Sequence, residues 1–256
     1  MKKEQRRFTA VLAFAGLLLA LSGCASNPID PSDPLEVANR DFDALNSHLD
    51  ANLLEPVSEV YVEYIPGDMR QGVTNFFENL GTPNDVLNSF LQGKMGDALS
   101  GTGRFIVNST LGIGGLFDPA TSMGMDALDE DLGQTLGVWG ADEGAYLVIP
   151  LRGPSSARDV WGIPVAYLTN PLTYVDLGAF SIPLTVLDAI DTRSRLATAI
   201  KISNEALDPY VFRREGYRQR RIDQIYDGEP PDENLDKLDQ ATADAFAPSR
   251  TSLIGS

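Results

Sequence analysis

Asp33-Pro34-Leu35-Glu36-Val37-Ala38-Asn39-Arg40-Asp41-Phe42-Asp43-Ala44-Leu45-Asn46-Ser47-His48-Leu49 decides the fold class. Leu35, Ala38, Phe42, Leu45, Leu49 and then Leu53 recur at spacings of mostly three and four, with acids and amides between them. That is the period of an amphipathic helix. Asp33 stands at the N-cap position and Pro34 in the first turn, so a helix is predicted from there to the neighbourhood of Pro56.

The same period continues downstream. Val57, Val60, Tyr61 and Tyr64 make a second helical stretch that Pro66-Gly67 stops. A third, from Asp68 to Leu80, carries Met69, Val73, Phe76 and Phe77 on one stripe and ends at Gly81. Thr82-Pro83-Asn84-Asp85 then opens a short helix around Val86, Leu87, Phe90 and Leu91, closed by Gly93. Residues 94–110 keep the period through Met95, Leu99, Phe105 and Ile106, while Gly96, Ala98, Gly101 and Gly103 leave room for a close neighbour. Residues 111–125 are apolar yet too rich in glycine for a stable helix. A helix is predicted over 129–136 and one strand over 146–151, ended by Arg152-Gly153-Pro154. One strand cannot make a sheet alone. Helical fragments broken at Pro164 and Pro171 lead to a long helix over 183–207, and Asp208-Pro209 separates it from another over 210–226. The fold class is therefore mainly α, a single domain over 33–226. Residues 227–256 hold Pro, Asp, Glu, Asn, Ala and Ser with few large apolar side chains, an acidic tail expected to be disordered.

Upstream, Lys2, Lys3, Arg6 and Arg7 precede an apolar run from Phe8 to Leu21, and Leu21-Ser22-Gly23-Cys24 contains the single cysteine of the 256 residues. A basic start, a short apolar core and small residues before a cleavage point make an export signal over 1–23. The pattern resembles a bacterial lipobox, in which Cys24 is lipidated and becomes the first residue of the mature chain. Residues 24–32 are then a flexible tether. Ala25 follows the cysteine where an aspartate would favour retention at the inner membrane, so by resemblance to the usual sorting rule the address is the outer membrane.

The chain has 20 Lys and Arg against 36 Asp and Glu, and without residues 1–23 the balance is 16 against 35, a net charge of −19. Such a charge excludes nucleic acid as a partner and broad electrostatic docking on anionic lipid heads. The mature part has no run of 18 apolar residues and no P-loop, so neither a conventional membrane span nor nucleotide hydrolysis is expected. No metal or cofactor is expected: a histidine base or zinc site would depend wholly on His48, which sits on the polar face of the first helix.

Several motifs together carry a family resemblance. Asp33-Pro34-Leu35-Glu36 with Asn39-Arg40, Asn75-Phe76 and Asn79-Leu80 before Pro83, and Phe90-Leu91-Gln92-Gly93 resemble the MlaA (VacJ) phospholipid-binding lipoproteins. So do Arg104-Phe105, Asn108-Ser109-Thr110-Leu111-Gly112, Gly114-Gly115 and Asp118, then Leu136-Gly137, Gly140, Gly144-Ala145-Tyr146, Pro150, Gly153-Pro154, Arg158-Asp159, Asp208-Pro209-Tyr210 and Arg214. The resemblance implies amphipathic helices arranged as a ring in the inner leaflet of the outer membrane, entered from the periplasmic side, around a polar central channel. It implies removal of misplaced phospholipids from the outer leaflet, their passage to a soluble periplasmic lipid carrier, and a trimeric porin as companion, without catalysis.

Three groups of side chains are candidates for that work. Gly112, Gly114, Gly115 and Phe117 suit a gate, or alternatively a buried packed loop. Asn75, Asn79 and Asn108 suit the lining of a polar passage, or equally capping and core hydrogen bonding. Arg213, Arg214 and Arg218, in a basic cluster with Arg220 and Arg221, suit lipid phosphate or an acidic partner, with a solvated helix face as the plainer reading. Two other classes stay open. Ala120-Thr121-Ser122-Met123-Gly124 is one residue from the Gly-x-Ser-x-Gly of lipolytic enzymes, and an envelope scaffold needs no site at all.

Overall fold

The helix after Asp33 forms, with its polar face turned inward. In the computed structural model, which describes residues 33–232, helix α1 (Glu36–Leu49) buries Glu36, Asn39 and Asp43, while Val37 and Leu45 are exposed. Asp33 does not cap it: Leu35 holds the N-cap position without a side-chain bond. Instead the fully buried Asp33 carboxylate accepts from Asn39 Nδ2 at 3.2 Å, from Arg214 Nη1 at 3.3 Å and from the Tyr210 hydroxyl. A buried carboxylate needs such donors more than a helix end does.

From α1 the chain passes through a π-helical turn, Asp50–Leu54, straight into α2 (Glu55–Tyr64). Pro56 lies in the first turn of α2 and does not stop the helical course, which continues into it from the π-helical turn. The next departure is larger. Helix α3 (Gly67–Leu91) runs unbroken through Gly81 and Pro83, where two helices were predicted. Asn79 Nδ2 to Ser109 Oγ (3.0 Å), Asn84 Nδ2 to the Glu130 carbonyl (3.0 Å) and Thr135 Oγ1 to Asn88 Oδ1 (2.9 Å) tie it to its neighbours on both sides of the proline. Tertiary hydrogen bonds outweigh the local cost of Pro83.

Helix α4 (Met95–Thr110) packs closely on α3, and a Cβ on Gly101 would stand 2.6 Å from Leu128 and 2.9 Å from Val86. Residues 111–125 form consecutive tight turns around a four-residue helix, α5 (Pro119–Ser122). Helix α6 (Leu132–Val138) starts at its N-cap Asp131, whose side chain accepts from Gln134 N, slightly later than predicted.

The lone strand has a partner. β1 (Tyr146–Ile149) pairs antiparallel with β2 (Gly153–Ser156), Tyr146 opposite Ser156 and Ile149 opposite Gly153. The other edge of β1 is covered by side chains of α1. Asn39 donates to the Tyr146 carbonyl and accepts from Val148 N, both at 2.9 Å; Asn46 does the same to Ile149 O and Leu151 N at 3.0 and 2.7 Å. Two asparagines two helical turns apart thus imitate a third strand.

Helix α7 (Gly162–Thr169) and single turns at Pro171–Tyr174 and Gly178–Phe180 lead to α8 (Ser181–Asn204) and α9 (Pro209–Ile225), the last capped by Asp208. α2 packs on α8, α8 on α3 and α9, α3 on α4, α6 and α7, α6 and β2 on α9, and β1 on α1. The helices close into a circuit. Among the described residues the one cluster of buried apolar side chains is small: Tyr146, Val148, Tyr210 and Val211, with Phe42 and Tyr217 against it.

Among the described residues, seven hydrophobic side chains are buried against 24 polar or charged ones. Large apolar groups lie outside instead, among them Tyr64, Leu99, Trp139, Trp161, Tyr174, Phe180 and Ile182. No described helix is long and apolar enough to cross a membrane. The signal segment 1–23, Cys24 with its tether, and the tail beyond 232 lie outside the described residues.

Candidate functional site

A polar cavity of about 450 Å³ opens between α3, α4, α8 and α9. α3 contributes Asn75, Glu78, Asn79, Thr82 and Asp85, because its inward stripe is amide, hydroxyl and acid. Arg104 and Asn108 face them from α4, Asp118 from the turn segment, Asp129 from the approach to α6, and Arg195 and Arg220 from α8 and α9. The fold thus brings together all three asparagines singled out in the sequence.

A hydrogen-bonded knot closes one side. Asp118 accepts from Arg104 Nη2 at 2.7 Å, from Thr121 Oγ1 at 2.6 Å and from Asn108 Nδ2 at 3.0 Å, while Asn108 Oδ1 accepts from Ala120 N at 3.1 Å. Burial by itself would raise the Asp118 carboxyl, but these donors outweigh it and hold the group down at about 2. Arg104 Nη1 also reaches the Met125 carbonyl at 2.8 Å, so both ends of residues 118–125 are bolted to α4.

The glycine segment sits against this wall. Gly114 and Gly115 take φ of +70° and +93°, and a Cβ on Gly115 would be 2.7 Å from that of Asn79. Asn75 Nδ2 holds the Leu116 carbonyl at 3.3 Å. Gly112 is packed too, since its Cβ would meet Phe117 O at 2.3 Å. Yet Leu111, Ile113 and Phe117 point outward and are exposed, while Ala120 at the base is fully buried. The base is packed core and the apex is an apolar surface, so the buried-loop reading holds for the base alone.

The arginine cluster is neither a solvated face nor free for phosphate. Arg214, 1% exposed, pairs with Asp33 (3.3 Å) and Glu215 (2.7 Å). Arg213 pairs with Asp43, and Arg218 with Glu215 at 3.5 Å and Glu143 at 4.0 Å. α9 lies between polar helix faces, so its cations neutralise the acids those faces bury; Arg220, on Asp129 at 3.2 Å, is the exposed member. His48 is exposed and meets Asn52 of the π-helical turn at 3.2 Å. Ser122 Oγ donates to the Pro119 carbonyl within its own turn. Sequence reasoning missed Arg104, Asp85 and Arg195 as cavity residues. Arg104 carried a usable signal as the one cation within α4.

Residues 31–224 match the family model described as MlaA lipoprotein. The chain belongs to the MlaA family. Among curated relatives, the Escherichia coli intermembrane phospholipid transport system lipoprotein MlaA is 34% identical over 78% of this chain and 82% of its own length. The Haemophilus influenzae MlaA of the same description is 28% identical over 93% of this chain and all of its own length. A solved structure described as "Structural basis for maintenance of bacterial outer membrane lipid asymmetry" matches with a TM-score of 0.67 at 33% identity, over 76% of this chain and 98% of the other. The mainly helical, single-domain fold is thus that of MlaA.

Proposed function

We propose that this MlaA protein is an outer-membrane lipoprotein that removes misplaced phospholipids from the outer leaflet and passes them to a soluble periplasmic carrier, keeping the membrane asymmetric. The polar cavity enclosed by helices with apolar exteriors is the observation that carries this reading. A two-chain phospholipid has roughly 30 methylenes, and at about 0.8 kcal/mol each its escape into water costs on the order of 20 kcal/mol. A device that moves it must shield the chains and give the headgroup a wet route. An inside-out helical circuit does both.

In this reading the domain lies in the inner leaflet as a ring, anchored through acylated Cys24 and accompanied by a trimeric porin. Asn75, Asn79 and Asn108 line the headgroup route, and the apex around Gly112, Gly114, Gly115 and Phe117 is its gate. Transfer is passive, without a catalytic step. Arg213, Arg214 and Arg218 have structural roles and are given no part in binding. The test is the outer-leaflet phospholipid content of cells with the gene deleted, restored, or restored with Arg104→Ala, which opens the knot. Accumulation on deletion, reversed by the wild type and reversed poorly by the variant, is expected. Unchanged lipid content after deletion, or fatty acid release by the purified protein, overturns the proposal.

A further inference from the structure

One guanidinium of the polar cavity is held firmly from behind and engaged loosely in front. Asp191 of α8, 1% exposed, accepts from the Tyr61 hydroxyl of α2 at 3.0 Å, from Thr74 Oγ1 of α3 at 2.8 Å and from Arg195 Nε at 3.2 Å. A carboxylate so buried needs donors such as these. Arg195 is thereby fixed by its inner edge, one turn further along α8, where its side chain lines the cavity. Its two outer nitrogens make only long contacts, Nη1 with Glu78 and Nη2 with Thr192, each at 3.4 Å. That is beyond the usual range of such bonds. Arg104, on α4, differs: its Nη1 and Nη2 are committed to Thr121, the Met125 carbonyl and Asp118 at 2.7 to 2.8 Å.

Resting on the lipid-transfer reading above, we propose that Arg195 receives the phosphate of a phospholipid headgroup in the cavity and that Asp191 is the residue that positions it. A phosphodiester carries one negative charge on oxygens that match the planar fork of a guanidinium. Glu78, which Nη1 meets, lines the same cavity, so the fork lies on the cavity side. The Glu78 pairing does not forbid an exchange. The two side chains are 44% and 51% exposed, ion pairs so exposed are worth little, and the displaced carboxylate returns to water rather than to a buried site. Of the other acids, Asp118 is neutralised by Arg104 and Asp129 by Arg220. Burial raises the Asp85 carboxyl to about 7, so near neutrality it opposes an anion with less than a full charge. Because Asp191 ties α8 to α2 and α3, the guanidinium is already ordered when a phosphate arrives, and little freedom is lost on binding.

The test uses the full-length acylated protein in detergent and competition against a fluorescent phospholipid. The competitors are phosphatidylglycerol, diacylglycerol with the same chains but no phosphate, and chain-free glycerophosphoglycerol. The unaltered protein is expected to bind phosphatidylglycerol about tenfold more tightly than diacylglycerol, the worth of one charge-assisted pair. Arg195→Gln brings the two lipids within about twofold of each other, Arg195→Lys, a point charge without the fork, keeps an intermediate preference, and Arg220→Gln keeps most of it. Asp191→Asn weakens phosphatidylglycerol and leaves diacylglycerol unchanged, a split that a merely structural role would not produce. Arg195 is half exposed, so its variants decide the matter even if Asp191→Asn folds poorly. Equal binding of the two lipids by the unaltered protein overturns the phosphate site and leaves the lipid route standing. Absence of binding by every lipid overturns both. A full preference retained by Arg195→Gln overturns the assignment to Arg195, and equal weakening of both lipids by Asp191→Asn overturns the positioning role. Competition by glycerophosphoglycerol as strong as that of the lipid makes a soluble phosphate the ligand and overturns the lipid headgroup.

Discussion

At the scale of single residues, this protein is held together by charges where most domains use methyl groups. Arg214 sits between the buried carboxylates of Asp33 and Glu215. Removing one partner of such a group leaves the others charged in a poor solvent, so Arg214→Ala is expected to cost about 3–5 kcal/mol in denaturation of the detergent-solubilised protein. A loss under about 1 kcal/mol would show the network to be incidental. Asp118 gives a pH dependence of known sign. Its carboxyl lies at about 2 in the fold against 3.8 for a free group, so its contribution is fully present above pH 4 and disappears as pH falls from there towards 2. The difference in stability between the wild type and Asp118→Asn, on the order of 2 kcal/mol at neutral pH, should shrink over that window. Neither role was legible from the sequence. Asp33 and Asp118 read as cap and loop residues because their partners, Arg214 and Arg104, are brought to them only by the closed fold.

At the scale of elements, the 3.6-residue period found the helices, and two errors share a cause. Pro83 and Gly81 look like a stop, and Gly153-Pro154 looks like the end of a lone strand, because local propensity favours both readings. In the fold, amide side chains offset both: Asn79, Asn84 and Asn88 tie the helix to its neighbours on either side of the proline, and Asn39 and Asn46 bond the open backbone edge of the hairpin. The three cavity asparagines were legible as polar residues of apolar helices, yet the cavity was not, since it needs α8 and α9 to close. The turn segment can be tested as a moving part. Position 72 of α3 faces the Leu116 carbonyl, with a Cβ there 3.3 Å from it. Gly72→Cys with Leu116→Cys, oxidised, should pin the apex and raise outer-leaflet phospholipid in cells, and reduction should reverse this. Normal lipid content with the crosslink formed would remove the gate. Gly115→Ala is expected to impair transfer more than Gly114→Ala, since both strain the backbone but only the former pushes on Asn79.

At the scale of the whole molecule, the sequence disclosed which helices are amphipathic but not which way they face. A hydrophobic stripe looks the same whether it meets a core or a bilayer. The seven buried hydrophobic side chains against 24 buried polar ones, among the described residues, are what the proposed placement in a bilayer rests on. Replacing Cys24 by Ala behind a cleavable signal should therefore leave a protein that still partitions into membrane or detergent; release into the aqueous fraction would make the domain a tethered scaffold. The inward-facing polar surface also bears on how such a molecule reaches its place. On the proposed outer-membrane placement, water is a poor medium for its outside and oil a poor one for its inside, so the folded form would have no comfortable state while crossing the aqueous space between the membranes. Either it travels with its apolar belt sheathed by an escort, or the circuit closes only on arrival, with the bilayer completing the fold.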